Sequence, residues 1–251
     1  MIVYRYEGSF EGLLSAFAEA LADQTEAPDF ARASSAEGLL FEGREVPARP
    51  DAVANLLLRL QASGGEMVPR TLATAYLSEL PGIERPLFDY CLLTLTRGEG
   101  VDGWHSHPAV ARVNLAARRV NREVHRLQGL LRFMETRSGV FYAPCEPDHN
   151  ISILLGHHFA VRLRDQRWII HDCRRDLAVW WDGQHLQPAN LATAPGVTAA
   201  DGPVLSPAEA NVQELWRTYH ARIAISSRHN PKLQRQCMPA RYWRYLVEMQ
   251  S

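Results

Sequence analysis

Apolar and polar positions alternate at the start of the chain and then change to helical spacing. Residues 2–7 read as a short strand with its two tyrosines on one face. Ser9 has the side chain of a helix N-cap, and the apolar residues after it recur every three or four positions. An irregular connection is expected over residues 25–50. The same helical spacing then predicts helices over residues 50–63, 68–80 and 84–97.

Strand and helix patterns mix in the second part of the chain. One long amphipathic helix with a basic outer face is predicted over residues 109–135. Pro144 and Pro147 argue against regular structure between them. The further predicted elements are a strand over 140–142, a helix over 151–163, strands over 168–172 and 178–181, a loop over 184–206 and a last helix after Ser206-Pro207.

These patterns together predict an α/β (α+β) fold. We expect a mainly helical first part packed on a small mixed sheet with long flanking helices. Residues 1–100 would form the helical part with its initial strand. Residues 101–251 would form a basic α/β part that is one compact unit and carries the functional site.

Composition narrows the class of protein. A chain of 251 residues can bury a core without covalent staples, and its four cysteines have no paired spacing, which fits a reducing compartment. Neither a secretory signal nor a run of about 20 apolar residues is present, so a cytoplasmic location is predicted and no membrane contact. The sequence also lacks the P-loop, dinucleotide and radical-SAM cluster motifs, and no cofactor is predicted.

Charge is distributed unevenly. Residues 1–110 hold 8 Arg and Lys against 16 Asp and Glu, whereas residues 111–251 hold 19 against 12, so net charges of −8 and +7 sum to −1. Lys232 is the only lysine, and guanidinium groups grip phosphates with a planar fork. The second part is therefore the candidate polyanion-binding region, although exposed charge is also the usual state of such side chains.

The long predicted helix carries the clearest basic pattern. Arg118, Arg122 and Arg126 recur every four residues, so they share one flank, and His125 and Arg132 share a neighbouring face. Like charges at this spacing repel one another unless an anion lies opposite. That anion is either a bound ligand or the acidic residues of the first part.

Other candidate groups follow. Asp172 ends an apolar strand before Arg174 and Arg175, which makes it either a working carboxylate or one neutralised in a turn. His158 and its neighbours lie in a stretch rich in polar groups. A metal site drawn from Cys145, His149 and Cys173 lacks the paired spacing of zinc ligands, so no metal is predicted. Near the C-terminus, Arg241, Tyr242 and Trp243 suit either phosphate and base contacts or core packing.

Six segments of the chain form a recognisable set of motifs. They are Tyr4-x-Tyr6-x-Gly8-Ser9-Phe10-x-Gly12-Leu13-Leu14, Leu77-Ser78-Glu79-x-Pro81-Gly82-x-Glu84, Glu123-x-His125-Arg126-x-x-Gly129-x-x-Arg132-Phe133, the stretch from Glu146-Pro147-Asp148-His149-Asn150 to His158-Phe159, Trp168-Ile169-Ile170-x-Asp172 and Met238-Pro239-x-Arg241-Tyr242-Trp243. Together they resemble a bacterial family of DNA-repair or DNA-metabolism proteins. The resemblance implies work beside a radical-SAM DNA modification or repair protein, and some members of the family are fused to a uracil-DNA-glycosylase-like domain. This chain stops at Ser251, so we expect any glycosylase activity to come from a separate polypeptide.

The resulting hypothesis is a protein that binds DNA and assists base repair or modification with a radical-SAM partner. An alternative is a stand-alone nucleic-acid hydrolase or glycosylase that uses His125, His158 and Asp172. A second alternative is a non-catalytic module that binds proteins. In the DNA-binding hypothesis, Tyr242 or Trp243 contacts a base, and the phosphate contacts come from Arg118, Arg122, Arg126, Arg132, Arg174 and Arg241.

Overall fold

A computed structural model describes residues 2–33, 43–191 and 203–250 of the chain. The chain divides into two compact units, Met1–Asn121 and Arg122–Ser251. The predicted mixed α/β class is confirmed, because each unit combines helices with its own sheet. The division lies 21 residues beyond the predicted boundary at residue 100, inside a long helix.

Unit 1 is built on a three-stranded parallel sheet in which the first strand is central. Four helices follow within this unit, and a fifth begins in it. The elements are β1 (Ile2–Tyr6), α1 (Phe10–Ala22), β2 (Pro28–Arg32), β3 (Gly43–Glu45), α2 (Pro50–Gly64), α3 (Met67–Tyr76), α4 (Glu84–Arg97) and α5 (Pro108–Leu130).

The start of unit 1 follows the sequence closely. Ser9 caps α1, because its hydroxyl accepts the Gly12 N–H at 2.9 Å. Phe17 of α1 packs edge-on against Phe30 and Phe88, with ring centroids 4.7 Å and 5.4 Å away. These buried aromatic rings hold strand and helix together in the core of the unit.

The prediction of an irregular connection over residues 25–50 is wrong in its described part, because strands β2 and β3 lie there. Both strands pair in parallel with β1, which lies far earlier in the chain. No neighbouring segment therefore signals the pairing. Pro28 stands at the first position of β2, where a strand tolerates proline. Residues 34–42 of this predicted connection lie outside the described residues.

Unit 2 contains a five-stranded mixed sheet in the order β4-β5-β6-β7-β8. The β5–β6 pair is parallel and the other pairs are antiparallel. Its elements after α5 are β4 (Met134–Glu135), β5 (Phe141–Cys145), α6 (Ser152–Arg162), β6 (Trp168–Asp172), β7 (Leu177–Trp181), β8 (Leu186–Ala189), α7 (Glu209–Ile223), α8 (Pro231–Cys237) and 3₁₀ turns at Val101–Gly103 in unit 1 and at Ser226–Arg228, Ala240–Tyr245 and Val247–Met249 in unit 2.

Two predictions in unit 2 are wrong. Pro144 lies inside β5, although we expected it to prevent regular structure. The Phe141 N–H donates to the Arg167 carbonyl, just before β6. Because successive residues of a strand point their backbone groups to opposite sides, the backbone of residue 144 faces away from β6, towards the side of β4. Strand β4 pairs only as far as Tyr142, so the proline lacks a strand partner on that side and is tolerated. Strand β8 falls in the expected loop over 184–206, of which residues 192–202 are not described.

Helix boundaries differ by a few residues from the predicted ones. Helix α5 ends at Leu130 rather than near 135, because Met134 and Glu135 pair with β5 instead. Helix α7 begins at Glu209, two residues after the proline expected to open it. In the described part of the chain, no helix is both long and apolar enough to cross a membrane.

Strands β5 and β6 set the position of the candidate site. They are parallel, with α6 as their crossover, so their carboxyl ends lie at one edge of the sheet. At this edge Cys145 is aligned with Asp172. In open α/β sheets such an edge is the usual place for functional groups.

Candidate functional site

Glu123 of α5 is a buried carboxylate with a full set of donors. The backbone N–H groups of Asp148 and His149 each donate to it at 2.9 Å. The Tyr242 hydroxyl donates to its Oε1 atom, and the Arg241 guanidinium lies 3.5 Å from the same atom. A buried charge is tolerated only when it is paired in this way. Glu123 therefore fixes both the loop after β5 and the C-terminal 3₁₀ turn to α5.

Asp172 anchors the same loop from the other side. It is fully buried at the end of β6, and its Oδ1 accepts the N–H groups of Arg174 and Arg175 at 3.0 and 3.2 Å. The Arg175 guanidinium donates to Asp172 Oδ2 at 2.8 Å and also to the backbone oxygens of Pro147 and Asp148. The Asp172 carboxylate is thus paired within the turn, and its role as a catalytic group stays a prediction.

Several predicted DNA-contacting residues are engaged within unit 2. Arg132 pairs with the buried Glu248 at 2.6 Å, and Arg241 pairs with Asp148 at 2.7 Å. Tyr242 is only 2% exposed, and burial raises its pKa to about 12. In this conformation neither face of its ring is open for a base.

Trp243 and Arg174 are placed differently. Trp243 is half-buried, and its indole N–H donates to the Met238 carbonyl at 2.9 Å. The Arg174 side chain is 60% exposed, and its guanidinium lies 4.0 Å from the Asp148 carboxylate. Arg174 therefore remains available to an anionic ligand at the edge of the sheet.

The arginines on α5 make no ion pair within their own unit, in the part of the chain that the structure describes. Arg122 is exposed and Arg126 half-buried at the start of unit 2, and neither makes an ion pair with the described residues of that unit. In unit 1, Arg118 and Arg119 are exposed, and the Arg118 side chain donates to the Asn114 carbonyl at 3.2 Å. The alternative that acidic residues of the first part neutralise these arginines stays a prediction.

The three candidate catalytic residues are not joined to one another by any contact that the structure describes. His125 is exposed on α5, whereas the half-buried His158 of α6 packs edge-on against Phe159 with ring centroids 4.9 Å apart. Both lie in described segments, yet no hydrogen bond, ion pair or ring contact joins either of them to Asp172 or to the other. Their grouping as one catalytic site stays a prediction.

A different titratable cluster lies at this sheet edge, around His171. The Tyr142 hydroxyl lies 2.7 Å and the Cys173 thiol 3.4 Å from His171 Nδ1. His171 Nε2 is 3.4 Å from the Asp176 carboxylate, within ion-pair distance but without hydrogen-bond alignment. Burial lowers the pKa of His171 and raises the pKa of Cys173. The resting pair is therefore a neutral imidazole and a neutral thiol.

Sequence reasoning missed three residues of this region as functional candidates. Glu123 lies on the apolar face of α5 between Val120 and Leu127, and a charged residue at a core position was a usable signal. His171 pairs with Pro144 across β5 and β6, which puts it on the same sheet face as Tyr142. Only this register, and no local motif, brings His171 to Tyr142. Arg175 carried no distinguishing pattern beside Arg174.

Fold and site together define a mixed α/β protein in which buried, paired carboxylates support a cationic surface. In the described ranges, no group of three or more His, Cys, Asp or Glu side chains could hold a metal ion. The chain belongs to the DUF4130 family, a domain of unknown function, whose family model matches residues 81–248. None of the curated proteins compared with the chain matches it.

Proposed function

We propose that this protein binds DNA and takes part in DNA repair or DNA metabolism. The observation that carries the proposal is the difference in pairing among its arginines. Arg132, Arg175 and Arg241 each pair with a buried carboxylate, whereas Arg122 and Arg126 make no ion pair with the described residues of unit 2. Unpaired guanidinium groups one helical turn apart repel each other, and a phosphate backbone relieves that repulsion.

The phosphate contacts in this proposal come from arginines that no buried carboxylate neutralises. Arg122, Arg126 and Arg174 supply them in unit 2, and Arg118 is the corresponding candidate in unit 1. Arg132 and Arg241 are not assigned to phosphate contacts, because Glu248 and Asp148 already pair with them. Contacts of this kind position DNA but carry no sequence information.

The proposal includes a radical-SAM protein as the working partner and, as a further partner, a separate uracil-DNA-glycosylase-like protein. Both rest on the family resemblance of the quoted motifs. A direct check is co-purification of this protein with a radical-SAM protein from the same cell, in the presence of nuclease. Loss of the complex after nuclease treatment would mean that DNA, not the protein surface, holds the two together.

The test of DNA binding is fluorescence anisotropy with labelled single- and double-stranded DNA across a salt series. Wild-type affinity is expected to fall steeply with salt, because each phosphate contact contributes about −0.9 to the slope of log K against log salt. The variant Arg122→Ala/Arg126→Ala should lower the size of that slope by roughly 2.

A matched control removes two other arginines of unit 2. Arg162 and Arg167 are also exposed, so Arg162→Ala/Arg167→Ala changes the net charge equally. We expect this control to keep most of the salt slope. Equal losses in the two variants would show that binding depends on overall charge, and absence of wild-type binding at low salt would refute the proposal and favour a protein-binding module.

A further inference from the structure

A pocket in unit 2 lies beside α7, just after the end of α5. Its volume is about 210 Å³, and its walls are mainly apolar, from Phe133, Met134, Val212 and Trp216, with Arg132, Glu209 and Gln213 as polar members. An apolar cavity of about 150 Å³ accepts one benzene ring. This pocket therefore has room for one planar heteroaromatic ring system and little more.

The aromatic wall of the pocket is fixed in position. The Trp216 indole N–H donates to Glu248 at 2.9 Å, and Glu248 is itself paired with Arg132. The Arg132 guanidinium lies over the Trp216 ring at 5.3 Å. A held indole offers a stacking face without losing side-chain entropy on binding, which favours a flat ligand.

A polar group stands beside that wall. Gln213 Nε2 donates to the buried Glu209 carboxylate at 3.0 Å, which orients the amide. No described residue donates to the amide oxygen of Gln213, so this oxygen can accept from the N–H edge of a ring. A heterocycle with an exposed N–H, such as a nucleobase, satisfies both the apolar walls and this acceptor.

The chain that continues from the pocket residue Trp216 is cationic over a long stretch. From Leu215 to Val247 there is no acidic residue, and seven cations occur. Among the described residues, four of the seven make no ion pair, and these are Arg222, Arg228, Lys232 and Arg235. Next to Trp216 the Tyr219 ring is 55% exposed, with centroids 5.7 Å apart. Exposed aromatic rings among unpaired cations are typical of surfaces that bind single-stranded nucleic acid.

We infer that this pocket receives one unstacked nucleobase of a bound DNA strand, with Trp216 as the stacking wall and Gln213 reading the base edge. The inference rests on the proposed DNA binding and adds its substrate class: DNA with a base outside the helical stack. The base enters with its sugar and phosphate left outside the pocket. No covalent step is involved.

The test uses single-stranded DNA that carries one 5-iododeoxyuridine, with anisotropy to measure binding and long-wavelength photo-cross-linking to locate the base. Wild-type protein should cross-link at Trp216 or Phe133, as mapped by mass spectrometry of the peptides. Val212→Trp fills the pocket and should abolish that cross-link while weakening binding on the order of tenfold. Leu215→Trp is the matched control, since Leu215 is 70% exposed on α7 and does not line the pocket.

The outcomes separate the two proposals. DNA binding without a cross-link at the pocket, or with cross-links that Val212→Trp leaves unchanged, overturns the base pocket and keeps DNA binding. If no DNA binds, free 5-iododeoxyuridine at millimolar concentration tests the pocket itself: a cross-link at Trp216 supports it, and none overturns it. Equal effects of both variants would indicate contact along the exposed apolar row of α7, as for a protein partner, and would also overturn the inference.

Discussion

Two sets of arginines in unit 2 differ in what lies opposite them. Arg175 and Arg241 face buried carboxylates and bind backbone oxygens or carboxylates of the loop after β5. Arg122 and Arg126 on α5 make no ion pair with a carboxylate among the described residues of this unit. The same residue type therefore serves two purposes: the paired arginines hold the fold, and the unpaired ones are free to hold a ligand.

This difference also separates stability from binding. Removing one partner of a buried ion pair leaves an uncompensated charge and costs several kcal/mol, whereas an exposed arginine contributes little to the folded state. Substitutions in the paired set should then lower stability more than DNA affinity, and those in the unpaired set should do the reverse. The same pattern of stability and affinity changes in both sets would contradict this division.

The largest effect is expected from Glu123→Ala. This change leaves two backbone N–H groups, the Tyr242 hydroxyl and Arg241 without their shared acceptor. The free energy of unfolding should fall by about 3 kcal/mol, measured by urea denaturation followed by circular dichroism. Glu214→Ala removes a carboxylate that is 72% exposed and should change it by less than about 0.5 kcal/mol. An unchanged midpoint in Glu123→Ala would mean that the loop does not depend on this carboxylate.

A smaller loss is expected from Asp172→Asn. The amide oxygen can still accept the two turn N–H groups, but Arg175 loses its buried counter-charge. The expected decrease in the free energy of unfolding is roughly 2 kcal/mol. Asp165→Asn, at a carboxylate 83% exposed, is the control and should have no effect. Unchanged stability together with the loss of a nucleic-acid hydrolase or glycosylase activity would instead support Asp172 as a catalytic group.

The unpaired set should show the reverse pattern. Arg122→Ala/Arg126→Ala is expected to leave the free energy of unfolding within about 0.5 kcal/mol of wild type while DNA affinity falls on the order of tenfold. Arg241→Ala should lower the free energy of unfolding, because Glu123 and Asp148 lose their partner, and should leave the salt slope close to that of wild type. Unfolding midpoints and anisotropy titrations on the same preparations check both statements.

Local pattern predicted the elements whose partners are near in sequence. The Ser9 cap, strands β6 and β7, and helix α6 were all predicted from spacing and turn residues. Strands β2, β3 and β8 were missed. β2 and β3 take their places from a parallel pairing with β1 that no local signal encodes, and β8 has only four residues.

The site divides in the same way. The basic character of α5 was visible as a four-residue repeat, but which arginines are neutralised depends on residues more than a hundred positions away, as for Arg132 with Glu248. The placement of His171 beside Tyr142 depends on strand register. Tyr242, one of two candidates for base contact, is buried, and its hydroxyl donates a hydrogen bond to the buried Glu123 carboxylate. Its burial required the tertiary structure.

The smallest effect concerns thiols and extends the comparison to a neutral group. Cys173 is half-buried among His171, Tyr142 and Tyr245, whereas Cys237 is exposed. Burial raises the pKa of Cys173, so less thiolate is present at pH 8, and the rate of alkylation should be lower than at Cys237. The two rates should approach each other as the pH rises, because the thiolate fraction of Cys173 grows towards its raised pKa. Iodoacetamide labelling with peptide mass spectrometry measures both sites in one sample, and urea-unfolded protein, in which the two should react alike, is the control. If Cys173 reacted faster than Cys237 at pH 7, His171 would be activating it, and a thiol enzyme would become the better hypothesis for this edge of the sheet.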